Sequence, residues 1–72
     1  MKNDLQIQHE VQSELEHDDD IPAGIIGVEV HHGVVKLAGR INDPATKRRA
    51  ELDARRVAGV TDVVLDLEAE AR

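Results

Sequence analysis

Ile26-Gly-Val-Glu-Val-His-His-Gly-Val-Val-Lys-Leu-Ala-Gly-Arg-Ile41 reads as a β-hairpin whose register follows from one two-residue turn. A turn at His32-Gly33 pairs Val30 with Val35, Val28 with Leu37 and Ile26 with Gly39, so the apolar side chains gather on one face. The other face then carries His31 with Val34, Glu29 with Lys36, and Gly27 with Ala38. Glu29 and Lys36 are opposite charges directly across the ladder, which suits water and not a second packed layer. The sheet therefore has one buried side, and helices must cover it.

Upstream, Ile7, Val11 and Leu15 recur every four residues among polar neighbours, the pattern of a helix with one narrow apolar stripe. Asn3 or Asp4 can cap its start, and Asp18-Asp19-Asp20 ends it, because carboxylates are repelled by the negative end of the helix dipole. Ile21-Pro22-Ala23-Gly24 reads as a short turn into the hairpin. Downstream, Asn42-Asp43-Pro44 is a helix start, with Asp as cap and Pro at the first position, where its missing N–H costs nothing. The spacing predicts a second helix from Pro44 to Val57, with Thr46, Ala50, Ala54 and Val57 inward and Gly59 in the left-handed conformation after it. Val60 to Leu67 alternates Val63, Leu65 and Leu67 inward with Val64 and Asp66 outward, a third strand. The expected fold is an α/β two-layer sandwich (α+β) in the order α-β-β-α-β, two helices on one face of a three-stranded mixed sheet. Its expected core is Ile7, Val11, Leu15, Ile26, Val28, Val30, Val35, Leu37, Ala50, Ala54, Val57, Val60, Val63, Leu65 and Leu67.

At 72 residues the chain is expected to be a single domain, 1–72, although its size also fits one unit of a tandem-repeat protein. A domain this small buries only about 60% of its unfolded surface and holds a margin of about 3–5 kcal/mol. Without Cys it has neither a disulfide framework nor a thiolate metal site. Neither a secretory leader nor a transmembrane segment is visible, so the chain as written reads as cytoplasmic, or as periplasmic or envelope-associated if cut from a longer secreted protein. Net charge is −6 but unevenly spread: residues 1–20 hold seven acids against one Lys, and residues 40–56 hold six bases against three acids. The molecule is acidic with one basic segment.

The alternating valines of Gly27-Val28-Glu29-Val30, the run Gly33-Val34-Val35-Lys36-Leu37-Ala38-Gly39, and Ala50, Ala54 and Val57-Ala58-Gly59-Val60 before Val63 resemble the BON domain, named for osmotically inducible and nodulation proteins. With Ile7, Val11 and Leu15 the resemblance extends from Asp4 to about Leu67. It implies a non-catalytic module of bacterial envelope, transport-associated and stress proteins, often in tandem and associated with phospholipid surfaces; one relative joins the module to a LysM domain and binds potassium. No catalytic residues are implied, and Gly33, Gly39 and Gly59 are assigned to backbone geometry. The chain departs from the family in carrying His32 where the turn usually has Asn or Asp, and Asp53 where a small residue is usual. Asp53 is expected to reach the helix edge, toward Arg49 or Arg56.

On a helical wheel Arg48, Leu52 and Arg55 lie opposite Ala50 and Ala54, with Arg49 and Arg56 along the flank. An exposed Leu ringed by arginines could lie on anionic headgroups, the bases drawn by charge and the Leu dipping among acyl chains. The bland alternative is a solvated helix face with one exposed Leu. The chain lacks Trp, Tyr and Phe to anchor at an interface, and its net charge opposes an anionic surface, so binding should be weak and salt-sensitive. A second reading makes Glu10, Glu14, Asp18, Asp19 and Asp20 an acidic surface that docks on the basic helix of another copy or domain, giving a monomer or weak self-association. A third is weak cation binding, since Glu10, Glu14 and His17 share a helical stripe and Asp18 to Asp20 are hard ligands; neither has the spacing of a defined metal site, and no metal or cofactor is expected. His31 and His32 are expected to diverge at the hairpin tip.

Gly24-Ile25-Ile26-Gly27 matches the Gly-x-x-Gly clamp of KH modules by letter, but it leads into a strand, and an acidic chain without aromatic residues is not expected to bind nucleic acid. Ser13, between His9 and His17, has no pocket in which to be activated, so an enzyme is not expected.

Overall fold

A computed structural model of the chain describes residues 2–22, 24–41 and 43–69. Five elements follow one another: α1 (Asp4–Glu16), β1 (Ile26–His31), β2 (Val34–Ile41), α2 (Pro44–Arg55) and β3 (Asp62–Ala69). The sheet order is β1-β2-β3, with β1 antiparallel and β3 parallel to β2. The hairpin register is the one its turn dictates: Val30 faces Val35, Val28 faces Leu37 and Ile26 faces Gly39. His32 (φ 52°) and Gly33 (φ 82°) both take left-handed backbone, as the commonest hairpin turn requires.

Asn3 caps α1 through a reciprocal pair, its side chain accepting from the Gln6 N–H while the Gln6 side chain accepts from the Asn3 N–H. Asp4, freed from that task, reaches across the fold. Its carboxylate accepts from the backbone N–H groups of His32 (2.9 Å) and Gly33 (3.2 Å), tying the helix start to the hairpin tip. The His32 bond is the main influence that lowers the pKa of Asp4.

Asp43 caps α2 by accepting from the Thr46 N–H, and Pro44 opens the helix; Asn42 and Ala23 lie outside the described residues. The helix ends at Arg55, two residues before the expected Val57, because its last turn tightens: Arg56 N–H donates to Asp53 O and Val57 N–H to Ala54 O. The third strand begins at Asp62, not Val60. The first ladder partner on β2 is Val34, which faces Asp62, and just before it the Thr61 N–H donates to Gly33 O (2.9 Å).

α1 lies over β1, α2 over β2 and β3, and the helices touch each other above the one buried face. The buried core comprises Ile7, Val11, Leu15, Ile21, Val28, Val35, Leu37, Ile41, Ala50, Ala54, Val57, Val63 and Leu67. Ile26, Val30, Val60 and Leu65 are partly buried against it, as is Ile25. Ile21 and Ile41 are additions to the expected core. Ile41 shares the parity of Val35 and Leu37 once β2 runs its full eight residues, and Ile21 folds back from the connection after α1.

Candidate functional site: the outer face of helix α2

The cap at Asp43 and the buried Thr46, Ala50 and Ala54 fix the rotation of α2, so Leu52 must point away from the sheet. Leu52 is 57% exposed. It sits at the boundary of two open depressions: one of about 450 Å³ also lined by Asp20, Asp43, Ala45, Arg48 and Arg49, the other by Arg49, Asp53 and Arg56. Among the described residues Lys47 and Arg48 make no ion pair, which leaves their charge available to an outside partner. Arg55 is engaged instead by Glu51 (3.0 Å), one turn earlier, and by Asp62 (3.5 Å) at the start of β3. Arg56 lies 3.7 Å from Asp53 and remains largely in solvent. The proposed basic set thus occupies one side of the molecule, with Arg48 and Leu52 at its centre and Arg55 and Arg56 tethered at its rim.

Of the acidic docking candidates, Asp18 alone leaves the surface. Asp18 is buried: its carboxylate accepts from Arg49 Nε at 2.7 Å and from the Asp20 backbone N–H at 2.9 Å. Asp20 is exposed and lies 3.4 Å from Arg49 Nη1, Glu10 is paired with Lys2, and Glu14 and Asp19 are exposed. Asp18 is therefore not open to a docking partner, and the chain uses part of the acidic-to-basic attraction within itself, between the α1–β1 connection and α2.

Asp53 is buried, 4% exposed, and not at the helix edge. Burial, then the neighbouring Asp18 carboxylate, pushes its pKa up to about 6, while the Asp53 side chain and the Arg49 guanidinium hold Asp18 down to about 2. A signal for this was present in the spacing. Asp53 stands three residues after Ala50 and four before Val57, on the inward stripe, but its charge pointed to the edge.

His31 and His32 do not diverge; their rings meet edge to face with centroids 4.4 Å apart. His17 turns back on its own helix, Nδ1 lying 2.7 Å from the Ser13 carbonyl oxygen. Among the described residues no group of three or more His, Asp or Glu is arranged to hold a metal ion, and no helix is long and apolar enough to cross a membrane.

Two helices on one face of a small mixed sheet, with a charged outer helix face around an exposed Leu, define a compact α+β binding module. The family model of the BON domain matches residues 3–71, nearly the entire chain, and the chain belongs to the BON domain family, whose members are non-catalytic binding modules associated with phospholipid. No curated protein matches the chain.

Proposed function

We propose that this BON domain is a non-catalytic module that attaches its parent system to anionic phospholipid of the bacterial envelope through the outer face of α2. The observation that carries the reading is Leu52, held out into solvent beside the unpaired Arg48. Basic side chains on such a face gain roughly 1 kcal/mol each near an anionic surface, and Leu52 adds apolar burial at the headgroup boundary. Arg48 and Leu52, with Arg55 and Arg56 at the rim, make up a small site on a chain of net charge −6, so attraction is local, and screening weakens it sharply.

The test is co-sedimentation with phosphatidylglycerol-containing and with pure phosphatidylcholine vesicles, at low salt and at about 0.15 M. Pelleting confined to the anionic vesicles, fading with salt and lost in Arg48→Glu and Leu52→Asp, is the expected result. Failure of the wild type to pellet under any condition overturns it. Sedimentation of the same samples without lipid reads the competing possibility, self-association of α2 with the acidic residues of a second copy.

A further inference from the structure

Two buried carboxylates and one guanidinium meet where the α1–β1 connection touches α2, and the hydrogen-bond donors are unevenly divided between the acids. Asp18 receives two, Arg49 Nε on Oδ2 and the Asp20 N–H on Oδ1. Asp53 receives none that it can keep: Arg56 Nη1 lies 3.7 Å from Oδ1, an ion-pair distance too long for a hydrogen bond, and Oδ2 is buried with no partner. An ionised Asp53 would leave a bare oxygen out of water beside a second negative charge, and both conditions oppose it. One proton relieves both, turning Oδ2 from an orphaned acceptor into a donor, with the neighbouring Asp18 carboxylate as the acceptor beside it.

We propose that Asp18 and Asp53 share a single proton, carried on Asp53 and donated to Asp18, and that its loss as the medium moves from acidic to neutral is a switch that loosens the α1–β1 connection from α2. The groups that face Asp53 are Asp18, with Asp20 behind it, from the connection, and Arg49 and Arg56 from α2. The side chains that α1 and the sheet turn into the core are apolar, Val11, Leu15, Leu37 and Leu67 among them. The donor count assigns the proton: Asp18 is kept ionised by Arg49, and Asp53, short of donors, keeps the hydrogen. Proton loss also places a new negative charge in the depression that Asp53 lines together with Arg49, Leu52 and Arg56. If α2 is the phospholipid-docking face, on which this consequence rests, docking and protonation are reciprocally linked, and binding to an anionic surface is stronger at mildly acidic pH.

A carboxyl-carbon NMR titration of the wild-type chain without lipid tests the proton directly. Asp53 is expected to titrate near pH 6, with the Asp18 resonance moving in the same step. Titration of Asp53 in the ordinary Asp range, near 4, overturns the proposal. Asp53→Asn, whose amide donates permanently to Asp18, supplies a second readout. The wild type is expected to lose several degrees of Tm between about pH 4 and pH 7, and the variant to stay level; an equal fall in both overturns the proposal. The two chains differ only at position 53, so the difference between them isolates Asp53. Pelleting with phosphatidylglycerol vesicles should rise more between about pH 8 and about pH 5 in the wild type than in Asp53→Asn. Absence of pelleting at every pH, with the NMR step intact, removes the docking reading and leaves the shared proton standing.

Discussion

Gly39 faces Ile26 across the hairpin at a backbone φ of 147°, and a Cβ built there would collide with the carbonyl oxygen of Ile25. That oxygen belongs to backbone, which cannot swing aside as a side-chain tip can. Gly39→Ala should therefore cost more than the 1 kcal/mol or so typical of an Ala at a strained position. Thermal melting is expected to show Tm lowered by about 5 °C or more, a shift reserved for changes of that size in a domain this small. The alternation of the strand made Gly39 legible as a ladder residue opposite Ile26, but not its φ, which depends on how closely β1 approaches. Asp4 illustrates the same division. As a helix-start residue it was visible, yet its hold on His32 and Gly33 joins positions 28 and 29 residues away, and no local pattern carries that information.

Helix α2 shows what periodicity reads well and where charge misleads it. The stripe of Thr46, Ala50, Ala54 and Val57 is buried as its spacing requires, and Ala50 and Ala54 have no exposed surface. Small residues there let the helix lie close to β2 and β3, so Ala54→Leu should overpack the interface and cost about 1–3 kcal/mol. Chemical denaturation is expected to show a lower midpoint with an unchanged slope. Leu52→Ser on the opposite face should change stability by less than about 0.5 kcal/mol, which makes it a clean variant for docking experiments. Asp53 belongs to the buried stripe by spacing. A carboxylate is rarely buried without a partner, and the partner that made burial tolerable, Asp18 with Arg49, lies in another element and could not be inferred from α2 alone.

Across the full fold, the two neighbouring acids Asp18 and Asp53 should shape stability against pH in opposite senses. Asp53 holds its proton more tightly folded than unfolded, so its contribution is fully present below the unfolded value of 3.8 and is lost as pH rises toward about 6. Asp18 behaves in reverse: its contribution is present above 3.8 and is lost as pH falls toward about 2. Together they place a stability maximum near pH 4, lower than the range usual for small domains. Denaturation midpoints measured from about pH 2 to pH 8 should trace that maximum. In Asp53→Asn the fall on its alkaline side should be missing.

The hairpin register, the element order, the inward stripes of both helices and the family resemblance were all written in the chain, because each rests on periods of two or about 3.6 residues that burial of one face imposes locally. The pairing of Asp18 with Arg49, the burial of Asp53 beside them, the engagement of Arg55 by Asp62 and the clamp of Asp4 on the hairpin tip were decided by the tertiary structure alone. Each joins residues from different elements, and only packing sets the distance and the exclusion of water that turn such charges into ion pairs, capped backbone groups or a buried carboxyl.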